Sequence, residues 1–184
     1  MIPLVDGDII RYEIGFAAEA GWRYMHEGED DVGLPDWAFV ENVLNLRLDT
    51  ICEDVGATQE PILYLSEGSN FRFDIATTKP YKGTRPSNKP WHYDNLTVHL
   101  KDVLGVKLIT KIEADDALCI DHLADPEQPT ILCSRDKDLR QCPGWFYSWE
   151  LGKQAGLGPL DIDKIGYLEL KPNGKIMGTG LKYF

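Results

Sequence analysis

At 184 residues, 43% apolar and 27% charged, the chain is long enough for one domain with its own core. Its composition excludes a disordered or low-complexity segment. Thirty acids against nineteen bases give a net charge of −11, which argues against a protein that coats nucleic acid through bulk charge. No apolar run is long enough to span a bilayer, and Met1-Ile2-Pro3-Leu4-Val5-Asp6-Gly7-Asp8 lacks the basic and apolar regions of a secretion signal. A soluble cytoplasmic protein with no membrane partner is therefore the expectation. Cys52, Cys119, Cys133 and Cys142 show no C-x-x-C spacing. They read as reduced structural thiols rather than zinc ligands.

In chain order, residues 2–6 are a short apolar run ending in Asp-Gly-Asp and read as a buried strand. Asp8 can cap a helix over about 9–20, where Ile9, Ile10, Ile14, Phe16 and Ala17 recur at helical spacing. Residues 28–33 form a polar loop, and Pro35 and Asp36 open a long amphipathic helix through Ile51. A second buried strand is expected over 61–66 and a short one over 71–75. A loop over 76–90 follows, long for a compact domain, and such loops tend to be functional. Then come a helix over about 92–104, a strand at 106–109, a helix over about 114–124 and an apolar strand at 130–133. This alternation predicts an α/β fold with a mainly parallel central sheet flanked by helices. After 145–149 the pattern changes to a C-terminal β-hairpin, turning at Pro172-Asn173-Gly174. No internal repeat is present, and the whole of 1–184 reads as one domain.

Three acidic clusters fall where strands should end: Asp6 with Asp8, then Glu113, Asp115 and Asp116, then Asp136 and Asp138. In a parallel sheet, functional groups gather at the carboxyl edge of the strands, so all three are able to converge. Each alone has a plainer reading: helix capping for the second, turn formation for the third. Converging carboxylates repel one another unless protons or cations neutralise them, and oxygen-rich clusters suit one or two Mg²⁺ or Mn²⁺ ions. His26, His92, His99 and His122 sit in unrelated contexts and read as satisfied helix or loop residues.

Charge is unevenly distributed. Residues 1–60 hold fourteen acids and three bases, whereas residues 77–111 hold seven bases and two acids. Within the basic stretch, Lys79, Tyr81, Lys82, Arg85 and Lys89 are candidate nucleic-acid contacts. Lys and Arg bind phosphate and Tyr can stack on a base. An exposed solubilising loop is the plainer alternative.

Taken together, these elements resemble the 5′-nuclease family: phage 5′–3′ exonucleases, flap endonucleases and the 5′-nuclease domain of bacterial DNA polymerase I, with their PIN-like catalytic fold. The resemblance is carried, in order, by Leu4-Val5-Asp6-Gly7-Asp8, Asn70-Phe71-Arg72, Tyr81-Lys82-Gly83-Thr84-Arg85, Ile112-Glu113-Ala114-Asp115-Asp116 and Ser134-Arg135-Asp136-Lys137-Asp138-Leu139. It implies that Asp6, Glu113, Asp115, Asp116, Asp136 and Asp138 are metal-site carboxylates. Asp8 stands beside them, and Glu67 lies near the acid that the family carries after its second strand. It further implies that Lys82 and Arg85 are catalytic residues steering the scissile phosphate, with Tyr81 beside them. The implied reaction is metal-dependent hydrolysis of DNA at 5′ ends, flaps or nicks, leaving a 5′-phosphate, with some action on RNA–DNA hybrids. A phage replication setting in the cytoplasm of a bacterial host is implied as well. The family's helix–three-turn–helix region has no counterpart here, which points to a fragment or to a separate chain that supplies it.

Two other readings stay open. One is a phosphatase of the haloacid dehalogenase type, with Asp6 as nucleophile and Asp8 as acid/base. The other is a truncated, non-catalytic nuclease domain that binds nucleic acid or a partner.

Overall fold

The computed structural model describes residues 1–78, 88–124 and 129–183. β1 (Ile2–Asp6) is buried along its full length, as a central strand covered on both faces must be. α1 (Gly7–Met25) follows with no intervening loop. Its cap is Asp6, not Asp8: Oδ1 of Asp6 accepts the Ile9 N–H at 3.2 Å, leaving Asp8 in the first turn. Gly7 is required by the packing. A Cβ there would lie 2.6 Å from the Tyr64 carbonyl oxygen, so the helix approaches the neighbouring strand as closely as backbone permits.

α2 (Trp37–Asp54) opens where expected, with the Asp36 carboxylate accepting the Phe39 N–H at 2.8 Å. β2 (Ile62–Asn70) runs beyond its expected end, and the strand expected over 71–75 is instead a short helix, α3 (Phe71–Ile75). The apolar alternation of Phe71, Phe73 and Ile75 suggested a strand, but all three are exposed. The local chemistry favours a turn: Asn70 Oδ1 accepts the Arg72 N–H at 3.0 Å, the side-chain cap that starts a helix. α4 (Tyr93–Asp102), β3 (Lys107–Lys111), α5 (Ala114–Ala124) and β4 (Thr130–Cys133) lie within a few residues of expectation.

Two strands were missing from the sequence reading: β5 (Gly144–Ser148) and β6 (Leu157–Ile162). β5 extends the parallel sheet beside β4, and β6 closes the edge antiparallel to β5. The sheet order is β3-β2-β1-β4-β5-β6. β1 lies parallel between β2 and β4, with Leu4 opposite both Ile62 and Leu132. Alternate residues feed two cores. Val5, Leu63, Leu65 and Ile131 pack with Ile14, Leu44 and Leu96 from α1, α2 and α4. Ile2, Leu4, Tyr64 and Leu132 pack with Leu118 of α5 on the opposite face. The architecture is α/β, a mostly parallel six-stranded sheet between helical layers.

The C-terminal hairpin, β7 (Tyr167–Leu170) and β8 (Ile176–Thr179), forms a separate two-stranded sheet. It is tied to the segment after β4 by a hydrogen bond of 2.8 Å from the Gly180 N–H to the Arg140 carbonyl. No helix among the described residues is long and apolar enough to cross a membrane.

Candidate carboxylate site at the sheet edge

The chain winds outward from β1 through β2 to β3, then crosses back to place β4 on the other side of β1. Such a reversal opens a crevice beyond the carboxyl ends of the strands that flank it. Asp6 ends β1, Ser134 and Asp136 follow β4, Asn70 ends β2, and Glu113 to Asp116 follow β3. All three acidic clusters therefore lie at one edge of the sheet.

Asp6 is the centre of this edge, only 4% exposed. Ser134 donates its hydroxyl to Asp6 Oδ2 at 2.9 Å, and the same Oγ accepts the Asp136 N–H at 2.9 Å. One buried serine thus fixes the β1 carboxylate and the turn after β4. Burial, together with repulsion from Asp8 and Asp115, pushes the Asp6 carboxyl up to about 7, against the pull of the Ser134 and Ile9 hydrogen bonds. Asp115 is also raised, chiefly by burial and then by the charges of Asp116 and Glu113. Asp6, Asp8 and Asp115 are electrostatic neighbours.

Asp8 is paired with Arg11 at 2.7 Å and faces the Ser66 N–H at 3.4 Å. The Ser66 hydroxyl in turn accepts the Ala114 N–H at 2.9 Å, docking the start of α5 onto the middle of β2. Glu113 and Asp116 are drawn together by Arg72, which pairs with Glu113 and with Asp116 at 2.8 Å. Asp116 also reaches back to the Glu113 N–H at 3.4 Å, a cap of α5. Asp136 caps the 3₁₀ turn Lys137–Gln141 by accepting the Asp138 N–H at 2.9 Å. Asp138 is exposed beside Lys137. Glu67 is exposed and engaged with Lys101.

The expected single cluster is therefore resolved into smaller groups. Among the described residues, no three His, Cys, Asp or Glu side chains gather closely enough to hold a metal ion. The donor chemistry nonetheless suits a hard divalent cation. Every candidate ligand is a carboxylate, and a cation offsets the repulsion that, after burial, raises Asp6.

Of the expected nucleic-acid contacts, Lys79, Tyr81, Lys82 and Arg85 lie outside the described residues. Lys89 is exposed, with its ammonium 4.3 Å from the centre of the Tyr93 ring. Arg11 stacks on that ring at 4.8 Å, so a cationic and aromatic group adjoins Asp8. No site role is legible in the sequence for Arg11 or Ser66, and Ser134 enters only as part of the Ser134–Leu139 element. Each is an ordinary helix, strand or post-strand residue until the sheet order brings it to the site. The histidines are engaged locally as expected. His92 meets the Pro35 carbonyl at 2.8 Å, His122 meets Thr130 Oγ1 at 2.7 Å, and His26 meets the Trp22 carbonyl at 2.9 Å.

No protein-family model, curated protein or solved structure matches this chain.

Proposed function

We propose that the chain is a divalent-cation-dependent 5′ nuclease that hydrolyses phosphodiesters in DNA at 5′ ends, flaps or nicks. The observation that carries this reading is Asp6: a buried, repulsion-loaded carboxylate at the switch point of the sheet, with Asp8 and Asp115 as charged neighbours and Asp136 joined to it through Ser134. Structural acids are ordinarily placed where a partner lowers their cost; Asp6 is raised instead, as functional carboxylates often are. The ordered resemblance from Leu4 to Leu139 gives the reading its substrate class.

This reading assigns Asp6, Asp115 and Asp136 to cation binding, with Glu113, Asp116 and Asp138 around them, and it requires these carboxylates to draw closer together than they stand. When bound, Mg²⁺ or Mn²⁺ supplies an activated water and charge stabilisation for the leaving oxygen. Ser134 holds Asp6 and the Asp136 turn in register. Arg11 and Lys89, flanking Tyr93, offer charge to a phosphate approaching from the Asp8 side. Lys82 and Arg85 are assigned to orienting the scissile phosphate.

The phosphatase reading is disfavoured. A nucleophilic Asp6 would have to reach substrate from a 4% exposed position, and an acid/base Asp8 would have to give up Arg11. The non-catalytic reading draws support from Arg72, which already neutralises Glu113 and Asp116.

The test is incubation of the chain with 5′-flap and nicked duplex DNA in Mg²⁺, Mn²⁺ or EDTA, beside Asp136→Asn. Cation-dependent products with 5′-phosphates, lost in the variant, are expected. Cation and DNA binding without products would replace this reading with the non-catalytic one. Hydrolysis of small phosphate esters that disappears on Asp6→Ala would restore the phosphatase.

A further inference from the structure

Beside Asp136, the turn after β4 and the C-terminal hairpin flank an open cleft of about 580 Å³. Arg135, Lys137 and Arg140 line it from the turn, and Lys175 lines it from the hairpin. Four cations thus line the cleft with one carboxylate, Asp136, and Lys137 is also paired with Asp138 at 3.4 Å, in a chain whose net charge is −11. The first 60 residues alone carry most of the acidic excess, so this concentration of positive charge is a local feature of the fold.

Two of the cations are held in an unusual state. Arg140 is only 9% exposed, and its Nε has no hydrogen-bond partner among the described residues. Its Nη1 rests 4.0 Å from the Met177 thioether, a weak acceptor. Arg135 also has an unpartnered Nε. Its other nitrogens donate to the Trp149 carbonyl, to Ser148 Oγ at 3.3 Å and to the Gln154 side chain, all neutral acceptors. Among the described residues neither guanidinium forms an ion pair. A buried guanidinium such as Arg140, with no ion pair among the described residues, is costly, and an anion in the cleft relieves that cost.

We infer that this cleft is a phosphate subsite for a nucleic-acid strand, adjoining the carboxylate edge at Asp136. Forked guanidinium donors match the oxygens of a phosphate bidentately, and the two lysines add mobile charge at the mouth. The volume lies within the roughly 300–1,000 Å³ of small-ligand sites, so it admits a nucleotide unit rather than an isolated ion. Tyr183 is in the wall, where a ring can stack on a base. The strand assignment rests on the nuclease reading; the anion chemistry does not.

The test is equilibrium binding of a 3′-fluorescent, 5′-phosphorylated single-stranded oligonucleotide to the full chain in EDTA, with inorganic phosphate as competitor. The probe variants are Lys137→Gln with Lys175→Gln, both at exposed positions, and Arg140→Lys, which keeps the charge and removes the fork. Arg23→Gln, at an exposed site on α1, is the control. The double variant should bind about tenfold more weakly, with a log K against log salt slope flatter by about 1.4, at ~0.7 per lost phosphate contact. Arg140→Lys should weaken binding too, the control should not, and phosphate should compete.

Affinity unchanged in both probe variants would overturn the inference. So would inorganic phosphate that binds without displacing the oligonucleotide, which would assign the cleft to free phosphate. Because binding is read in EDTA, the outcomes separate. A chain that cleaves nothing yet loses binding in the variants keeps the subsite and drops the nuclease. A chain that cleaves DNA while its binding ignores the substitutions does the reverse.

Discussion

Asp6 and Gly7 show two opposite demands met by adjacent residues. The Asp6 carboxyl titrates near 7 in the folded chain, against 3.8 when unperturbed. Over that interval the folded state holds the proton more tightly, so cation-free stability falls as pH rises from about 4 to about 7, and the loss is complete above that. The shift corresponds to a few kcal/mol, on the order of 1.4 per pK unit. Asp6→Asn should therefore be the more stable protein at pH 8 in chelator, with the advantage closing near pH 4. A gap in urea midpoints that does not change with pH would remove the assignment. At Gly7, helix propensity alone favours alanine by about 1 kcal/mol. The 2.6 Å approach to the Tyr64 carbonyl outweighs it, so Gly7→Ala should destabilise by about 2 kcal/mol or more. Gly21 lies in the same helix, and its added Cβ would meet Phe39 at an ordinary 3.6 Å. Gly21→Ala should raise the melting temperature; equal effects at the two positions would discard the steric account. The Asp-Gly-Asp string was legible as a strand end. Which acid caps the helix was not, because that depends on where the strand stops.

At the level of elements, Arg72 joins α3 to the start of α5. Its side chain is 28% exposed, as against 9% for Glu113, so removing it takes an ion-pair partner from a mostly buried carboxylate. Arg72→Gln should cost about 1–3 kcal/mol, and hydrogen exchange should speed first in the N-terminal turn of α5. If protection is lost evenly over the sheet, the clamp is not local. The sequence pattern placed Arg72 on a strand because apolar alternation at Phe71, Phe73 and Ile75 mimics one. A side-chain cap from Asn70 and the attraction of two acids on another element decided otherwise. β5 and β6 escaped for related reasons. Phe146, Tyr147, Ser148 and Trp149 are all buried, so both faces are covered and there is no period to read. β6 contains Gly158-Pro159, a pair that reads as a turn but is tolerated in a strand at the sheet edge.

For the molecule as a whole, the βαβ alternation made the parallel sheet legible, since such strands need long crossovers. The order of those strands was not written in any local pattern, and it is the order that brings the three acidic clusters to one edge. Their subdivision was still less accessible. It follows from Arg72 and Ser134, whose partners lie on other elements. The hairpin was foreseen as a turn and two strands. Its contact with Arg140, which makes it a wall of the cleft, required the tertiary structure.

The separation of acidic mass from a small cationic cleft has a consequence for the kinetics of encounter. At ~0.01 M salt the Debye length is about 30 Å, and an approaching polyanion is repelled by the net charge of −11 before it senses the four cations beside Asp136. Near ~0.1 M the range contracts to about 10 Å, the repulsion is screened, and the cleft acts within its own reach. Further salt weakens that attraction as well. Oligonucleotide association measured by stopped flow should therefore quicken and then slow as salt is raised, and a steady fall from the lowest salt would mean that the cleft, rather than the bulk, governs approach. Selectivity in such a molecule lies in the approach itself, because a ligand must present its phosphate to the one surface that welcomes it.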